Sequence, residues 1–395
     1  MTSGAELLES PAARVRAANA GLLTLTLLSL GHFFIDLYSS ALGALQPLLK
    51  QQFQLSLTQA GILGGLLVFS SSVMQPAYGY LSDRFHTRLF TTLAPAVAGV
   101  FISSLGLAPG FGWLLLMVLL GGAGIASFHP QGSARAALTA EARRGRSMAV
   151  FISAGTLGMA LGPTYFTAVT ARLGLTHAWW AAVPGLLVSV LLMALLPVGT
   201  AAAPGRGHAD WRALRAVWKP LTVLYFLVFI RSILQITYTQ FLPLYLHLEK
   251  GLDVSTANYT LTMYLASGAL GGFVGGHLAD RFGGRTVILV SMIGSAPFLA
   301  LFFLSSGALS LAGLAAGGFV LLFTIPVNVV MGQELLPSQA GTVSALMMGF
   351  SWGMAGLLFI PLTGWLSDLF SLHSVLLGLT GFPLIGFLLA MRLPK

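Results

Sequence analysis

Long apolar runs alternate with short clusters of charge along the whole chain. Stretches free of Asp, Glu, Lys and Arg cover 51–82, 89–134, 147–171, 173–205, 254–279, 286–333, 335–367 and 369–391. Two more, 17–49 and 220–248, are each interrupted by a single charge, Asp36 and Arg231. A helix needs roughly 20 apolar residues to cross a bilayer. The runs 89–134 and 286–333 are long enough for two crossings, and each has a turn near its middle, Ala108-Pro109-Gly110 and Ser305-Ser306-Gly307. The pattern predicts twelve spanning helices. The first run is too long for a cleaved signal and holds Asp36 at its centre, so it reads as a permanent span.

Composition agrees with the pattern. Of 395 residues, 56% are hydrophobic and 8% are charged, against roughly 25% charged in an ordinary soluble domain. A soluble globular enzyme is excluded. Basic residues are sorted by loop. With the N-terminus inside, the cytoplasmic segments hold Arg14, Arg16, Arg84, Arg88, Arg135, Arg143, Arg144, Arg146, Arg206, Arg212, Arg215, Lys219, Arg281, Arg285, Arg392 and Lys395. The opposite side keeps Lys50, Arg172 and Lys250. This bias predicts an inner-membrane protein with both termini cytoplasmic. It also accounts for the net charge of +9 without a nucleic-acid partner. Cysteine is absent, so disulfides and thiolate chemistry are excluded. A Walker loop is absent as well, so ATP does not drive the chain directly. No cofactor or metal is expected, and the protein is expected to act as a monomer in the lipid bilayer.

The two halves repeat. Phe34-Ile35-Asp36 matches Phe229-Ile230-Arg231 at a shift of 195 residues, and Pro47 matches Pro243. Gly79-Tyr-Leu-Ser-Asp83-Arg84-Phe85 matches Gly276-His-Leu-Ala-Asp280-Arg281-Phe282 at 197. Ser153-Ala-Gly155-Thr-Leu-Gly158 with Pro163 matches Ser351-Trp-Gly353-Met-Ala-Gly356 with Pro361 at 198. Six helices repeated in the same order place both halves in one orientation, related by an axis along the membrane normal. The expected fold is an all-α membrane protein of two six-helix bundles, 1–197 and 219–395, joined by a cytoplasmic linker over 198–218.

This repeat, with G-x-L-x-D-R after the second and eighth spans, resembles the major facilitator superfamily over the whole chain. His32 and Asp36, Gln75-Pro76-x-x-Gly79-Tyr80, and Phe128-His129-Pro130 with Arg135 are similar to the fosmidomycin resistance branch of proton-driven drug exporters. The resemblance implies a gate between the halves, built from Gly79, Asp83, Arg84, Arg88 and Arg135 and from Gly276, Asp280, Arg281 and Arg285. It implies that Asp83 meets the start of the eleventh helix, and Asp280 the start of the fifth near Arg146. Plain anchoring to the cytoplasmic face is the alternative. Gly155, Gly158, Gly162 and Pro163 resemble an antiporter motif in the fifth helix, although Phe166-Thr167 replaces its paired glycines. Close helix packing explains the same spacing.

Asp36 and Arg231 carry the sharpest signal, because a charge deep in a span is costly and lines a pathway when retained. Asp36 is expected to take up and release the coupling proton. Arg231 is expected to hold an anionic substrate group or to act as the counter-ion of Asp36; a structural ion pair is the alternative. His32 lies one turn before Asp36 and suits a proton relay. A metal site from His32, Asp36 and His129 is a lesser alternative. Gln46, Gln75, His129, Gln235, Tyr238 and Asn328 are candidates for the substrate-cavity wall. Phe33, Met348 and Trp352 supply apolar contact. Gly349-Phe-Ser351-Trp-Gly353 fits a hydrolase pattern but lies mid-helix, where no nucleophile elbow forms. The sequence predicts a secondary transporter exporting a small amphipathic or anionic drug-like solute in exchange for protons. Import of an organic anion with protons is the first alternative, and a membrane enzyme using His129 or Ser351 is a second.

Overall fold

The computed structural model describes residues 11–85, 87–139, 144–197 and 211–393. The side chains of 11–19, Asp83, 144–146 and Trp211 also fall outside the described set. So do Arg206 and most of the 198–218 linker, of which Trp211–Ala216 forms a short helix.

Every regular element is helical among the described residues. Ten are long and apolar enough to cross a membrane. They are α1 (Ala20–Phe53), α2 (Leu57–Ser82), α4 (Phe111–Leu138), α5 (Ser147–Leu173), α6 (Leu175–Leu195), α7 (Trp218–Leu248), α9 (Gly284–Leu304), α10 (Gly307–Leu335), α11 (Pro337–Leu369) and α12 (Leu372–Ala390). Two others complete the twelve. They are α3, short and apolar at Ala94–Ser103, and α8, longer and richer in polar residues at Val254–Phe282. Both turns expected inside the long runs are present, after α3 and at Gly307, whose φ of 62° needs a glycine.

Local chemistry sets the helix ends. The side chain of Ser56 accepts from the Gln59 amide while Gln59 accepts from the Ser56 amide, closing a capping box at the start of α2. Asp253 caps α8, accepting from the Thr256 amide at 3.0 Å and its hydroxyl at 2.6 Å. These two bonds hold the Asp253 carboxyl below its ordinary pKa.

One apolar core lies wholly within α1–α6, with Tyr38, Phe128 and Phe166 fully enclosed. Two more lie almost wholly within α7–α12, around Tyr238, Tyr245 and Tyr264 and around Met292 and Met347. The large apolar side chains left on the outside, such as Val190, Leu270 and Phe273, suit a hydrocarbon solvent.

The face where α1 ends and α2 begins is here called distal, the other proximal. The bundles meet where α2 packs on α11, where α5 packs on α8 and where the distal half of α1 packs on α7. Cross-bundle hydrogen bonds gather toward the distal face. Thr164 and Thr262 share a hydroxyl contact at 2.8 Å. Asn258 donates to the Ala44 carbonyl at 3.1 Å and to the Thr167 hydroxyl at 2.9 Å. At the α2–α11 seam a Cβ on Gly61 would strike the Ile360 carbonyl, so the backbones of α2 and α11 touch.

Candidate functional site

Within the first bundle, α1 and α4 bring three titratable side chains together. Asp36 Oδ2 lies 3.3 Å from His32 Nε2, one turn earlier on the same face, and Oδ1 lies 3.4 Å from His129 Nε2. The far nitrogen of each ring is occupied. Nδ1 of His32 donates to the Phe151 carbonyl at 2.8 Å, and Nδ1 of His129 to the Ile125 carbonyl at 2.9 Å. A carbonyl only accepts, so each Nδ1 carries the hydrogen and each neutral ring presents a bare lone pair at Nε2. Two lone pairs then face a carboxylate that also only accepts. A proton on Nε2 converts that conflict into a charge-assisted contact. The arrangement has the chemistry to hold a small cation. The donor atoms of these three residues all lie within 4.8 Å of one another, close enough to hold a metal ion, and no other group of described residues is arranged this way.

Packing fixes the cluster. The His32 ring stacks on Phe151 with centroids 4.1 Å apart. Helix α5 supplies the room. A Cβ on Gly155 would stand 2.5 Å from Asp36 Oδ2 and from His32 Cε1. Gly158 faces the Phe33 carbonyl, and Gly162 faces Ser40 and the Leu37 carbonyl. The glycines of the antiporter-like stretch are thus the surface on which α1 lies, and Pro163 follows inside the same helix.

Arg231 sits in the second bundle and is 5% exposed. Its Nη1 donates to Gln235 Oε1 at 2.7 Å, and its guanidinium lies 5.6 Å from the Trp352 ring centroid. Its Nε has no partner. The ion-pair partners of Asp36 are His32 and His129, so each buried charge is held within its own bundle. A buried guanidinium beside a neutral amide and an indole, with no carboxylate among the described residues paired to it, has the chemistry to accept an anion. In the same bundle the buried hydroxyl of Tyr264 is also unpartnered. The sequence offered no signal for that tyrosine.

The remaining candidates separate. Gln235 joins Arg231. Gln46 donates to the Ala60 carbonyl at 2.9 Å and ties α1 to α2. Gln75 bonds the Ser71 carbonyl of its own helix at 2.9 Å. Tyr238 is fully enclosed in the second bundle's core and donates to the Leu376 carbonyl at 3.1 Å. Asn328 is fully buried with neither amide atom partnered.

The paired loop motif has a stationary part. Arg88 donates to the Leu196 carbonyl just past α6, and Arg285 to the Met391 carbonyl just past α12 at 2.9 Å. These are repeat-equivalent contacts, each fastening the last helix of its bundle at its carbonyl end. Arg135 adds a bond to the Pro197 carbonyl at 3.3 Å. Arg84 bonds the Tyr80 hydroxyl at 3.3 Å, and Arg281 covers the Phe282 ring at 5.2 Å. Gly79 and Gly276 lie beside Pro130 and Pro326, again equivalent positions. Asp280 is exposed and makes no ion pair among the described residues. The Asp83 and Arg146 side chains, and hence the contacts expected of them, lie outside the described residues.

A further feature is silent in the sequence. Helices α2 and α11 each contain a widened π-type turn, Phe69–Val73 and Ala345–Phe350, and the two turns touch across the seam. Such turns insert one residue into a helix and occur mostly at functional positions. They are not repeat-equivalent, so internal symmetry could not have flagged them.

The profile of the Major Facilitator Superfamily matches residues 28–347 and 224–395. The chain belongs to this superfamily. Two curated relatives align nearly end to end. The uncharacterized transporter YfnC of Bacillus subtilis is 31% identical over 94% of this chain and 92% of its own. The fosmidomycin resistance protein of Escherichia coli is 29% identical over 91% and 90%. Among solved structures, a bacterial homologue of the human lysosomal transporter Spinster, inward-facing and unoccupied, superimposes with a TM-score of 0.80. It shares 18% identity over 94% of this chain and 97% of that one, a likeness of fold. The superfamily assignment makes the chain a multi-pass membrane protein of secondary transport, with two six-helix bundles.

Proposed function

We propose that the protein exports a small amphipathic or anionic solute in exchange for protons, with the proximal face cytoplasmic in the inner membrane. The observation that carries this reading is the His32–Asp36–His129 cluster, whose two imidazole and two carboxylate acceptor atoms face one another with no donor between them. Its occupant is the coupling proton. Asp36 and the two imidazoles accept it when the cluster faces the acidic outer side and release it toward the cytoplasm. Arg231 keeps its charge throughout and takes the anionic group of the solute, with Trp352 against the apolar part. An inward proton contributes roughly 2.3 kcal/mol per 100 mV of membrane potential, which can drive a neutral or anionic solute outward. The fosmidomycin resistance relative supports export as the direction. The sorting of Lys and Arg supports the orientation.

The test uses inside-out vesicles, acidified inside and loaded with a pH dye, with fosmidomycin as the first probe and other phosphonates and organic acids after it. Solute-induced proton release that disappears in Asp36→Asn supports the exchange. Transport of a solute with the pH gradient unaltered overturns the proton assignment. Proton movement in the same direction as the solute overturns export.

A further inference from the structure

The start of α2 is held from the other bundle. The Asp368 carboxylate, at the end of α11, accepts from the Leu57 amide at 2.9 Å, the Thr58 amide at 2.7 Å and the Thr58 hydroxyl at 2.6 Å. The bonded residues are about 310 positions apart in the chain. The first amides of a helix lack carbonyl partners and carry partial positive charge, so a carboxylate there satisfies both needs at once. The capping box of Ser56 and Gln59 already serves the Gln59 and Ser56 amides, and Asp368 serves the two between them. Beside it the seam is closely packed, with Gly364 facing the Leu57 carbonyl and Gly61 facing the Ile360 carbonyl.

The molecule uses the same chemistry a second time, without crossing a seam. Glu249, just past α7, accepts from the Leu372 and His373 amides at 2.7 and 2.9 Å and so caps α12 of its own bundle. That contact can persist while the bundles move as bodies. The Asp368 contact cannot, because α2 and α11 belong to different bundles and alternating access must part them at the distal mouth. The α5–α8 seam is bridged by neutral groups, Thr164 with Thr262 and Asn258 with Thr167. Among the described residues, the charged hydrogen bonds between the bundles are those of Asp368 on the α2–α11 seam.

We infer that Asp368 is a distal latch. Its carboxylate holds α2 against α11 while the distal mouth is closed, and release of these three bonds is a step in opening it. Asp368 is exposed, so water takes its place when the latch lets go. The latch thereby biases the balance of states without locking it. This inference does not depend on which solute or ion is carried.

The chain has no cysteine, so labelling sites can be placed directly. Spin labels at Gln51→Cys and Phe370→Cys report the distal separation of the bundles by pulsed electron resonance. Asp368→Ala is expected to raise the ratio of open to closed distances about tenfold, the equivalent of about 1.4 kcal/mol. Thr58→Ala removes one of the three bonds and is expected to shift the ratio in the same direction by less, and it serves if Asp368→Ala does not fold. Glu249→Ala loses the matching cap inside one bundle and is expected to lower thermal stability with the distances unchanged. An unchanged distribution in both Asp368→Ala and Thr58→Ala overturns the latch. Equal opening in Glu249→Ala also overturns it, because the effect is then general loosening.

Discussion

Gly155 stands against Asp36 so closely that a Cβ on the glycine would lie 2.5 Å from the carboxylate oxygen Oδ2. The antiporter-like stretch and the buried acid are therefore one construction. Gly155→Ala is expected to displace Asp36 or His32, to cost about 1–3 kcal/mol of stability, and to slow proton-linked transport. Gly378→Ala in α12, where a Cβ would meet nothing within 4 Å, provides the comparison. Thermal melts and vesicle transport of both variants check this. Equal behaviour of the two would remove Gly155 from the site.

Asp36→Asn keeps the size of the side chain and lets an amide donate to one imidazole, but it removes the charge that holds a proton between them. The expected result is loss of solute movement driven by a pH gradient. Exchange of labelled for unlabelled solute should persist, because the bundles still move. Retained gradient-driven accumulation in proteoliposomes would count against the assignment.

Arg231 presents a buried cation with no carboxylate paired to it among the described residues. Such a group destabilises the empty protein, because the desolvation of the charge is not offset by an opposite one. Arg231→Met is expected to raise the melting temperature by a few degrees, equivalent to about 1–2 kcal/mol. The same variant is expected to lose the stabilising shift that an anionic solute gives the parent protein. If Arg231 were a structural tie, the variant would melt lower.

Arg88 and Arg285 make the same carbonyl contact in the two bundles, and both fasten helices of their own half. Replacing either by Ala is expected to cost about 1.5–3 kcal/mol, the range for a hydrogen bond from a charged donor. The solute concentration for half-maximal transport should hardly change. Thermal melts paired with transport kinetics separate the outcomes. A large change in apparent affinity with unaltered melting would place these arginines in the transport path.

Twelve helices, two bundles and the positions of Asp36 and Arg231 were legible because hydrocarbon punishes polar backbone and stray charge, and both penalties leave a linear record in the sequence. The duplicated loop was legible from its shift of 197 residues. The partners were not. His129 reaches Asp36 from another helix, and nothing in the spacing of Phe128-His129-Pro130 says which way the ring turns. Tyr238 and Asn328 are both polar residues of long apolar runs. One is a core tyrosine with a carbonyl partner and the other a buried amide with none, a difference only three-dimensional packing creates. Asp368 looked like a charge ending an apolar run, since its partners lie at the far end of the chain.

Asp36 with its imidazoles and Arg231 with its amide and indole each travel whole with one body. Rocking therefore breaks no ionic contact at either charge and requires no charge to cross between bundles. Communication between the two seats is then a matter of populations: occupancy of one alters how often the molecule visits each orientation, and the other senses only that frequency. Under the proposed exchange, each seat can be retuned, for a different solute on one side or a different acidity on the other, without redesigning its counterpart.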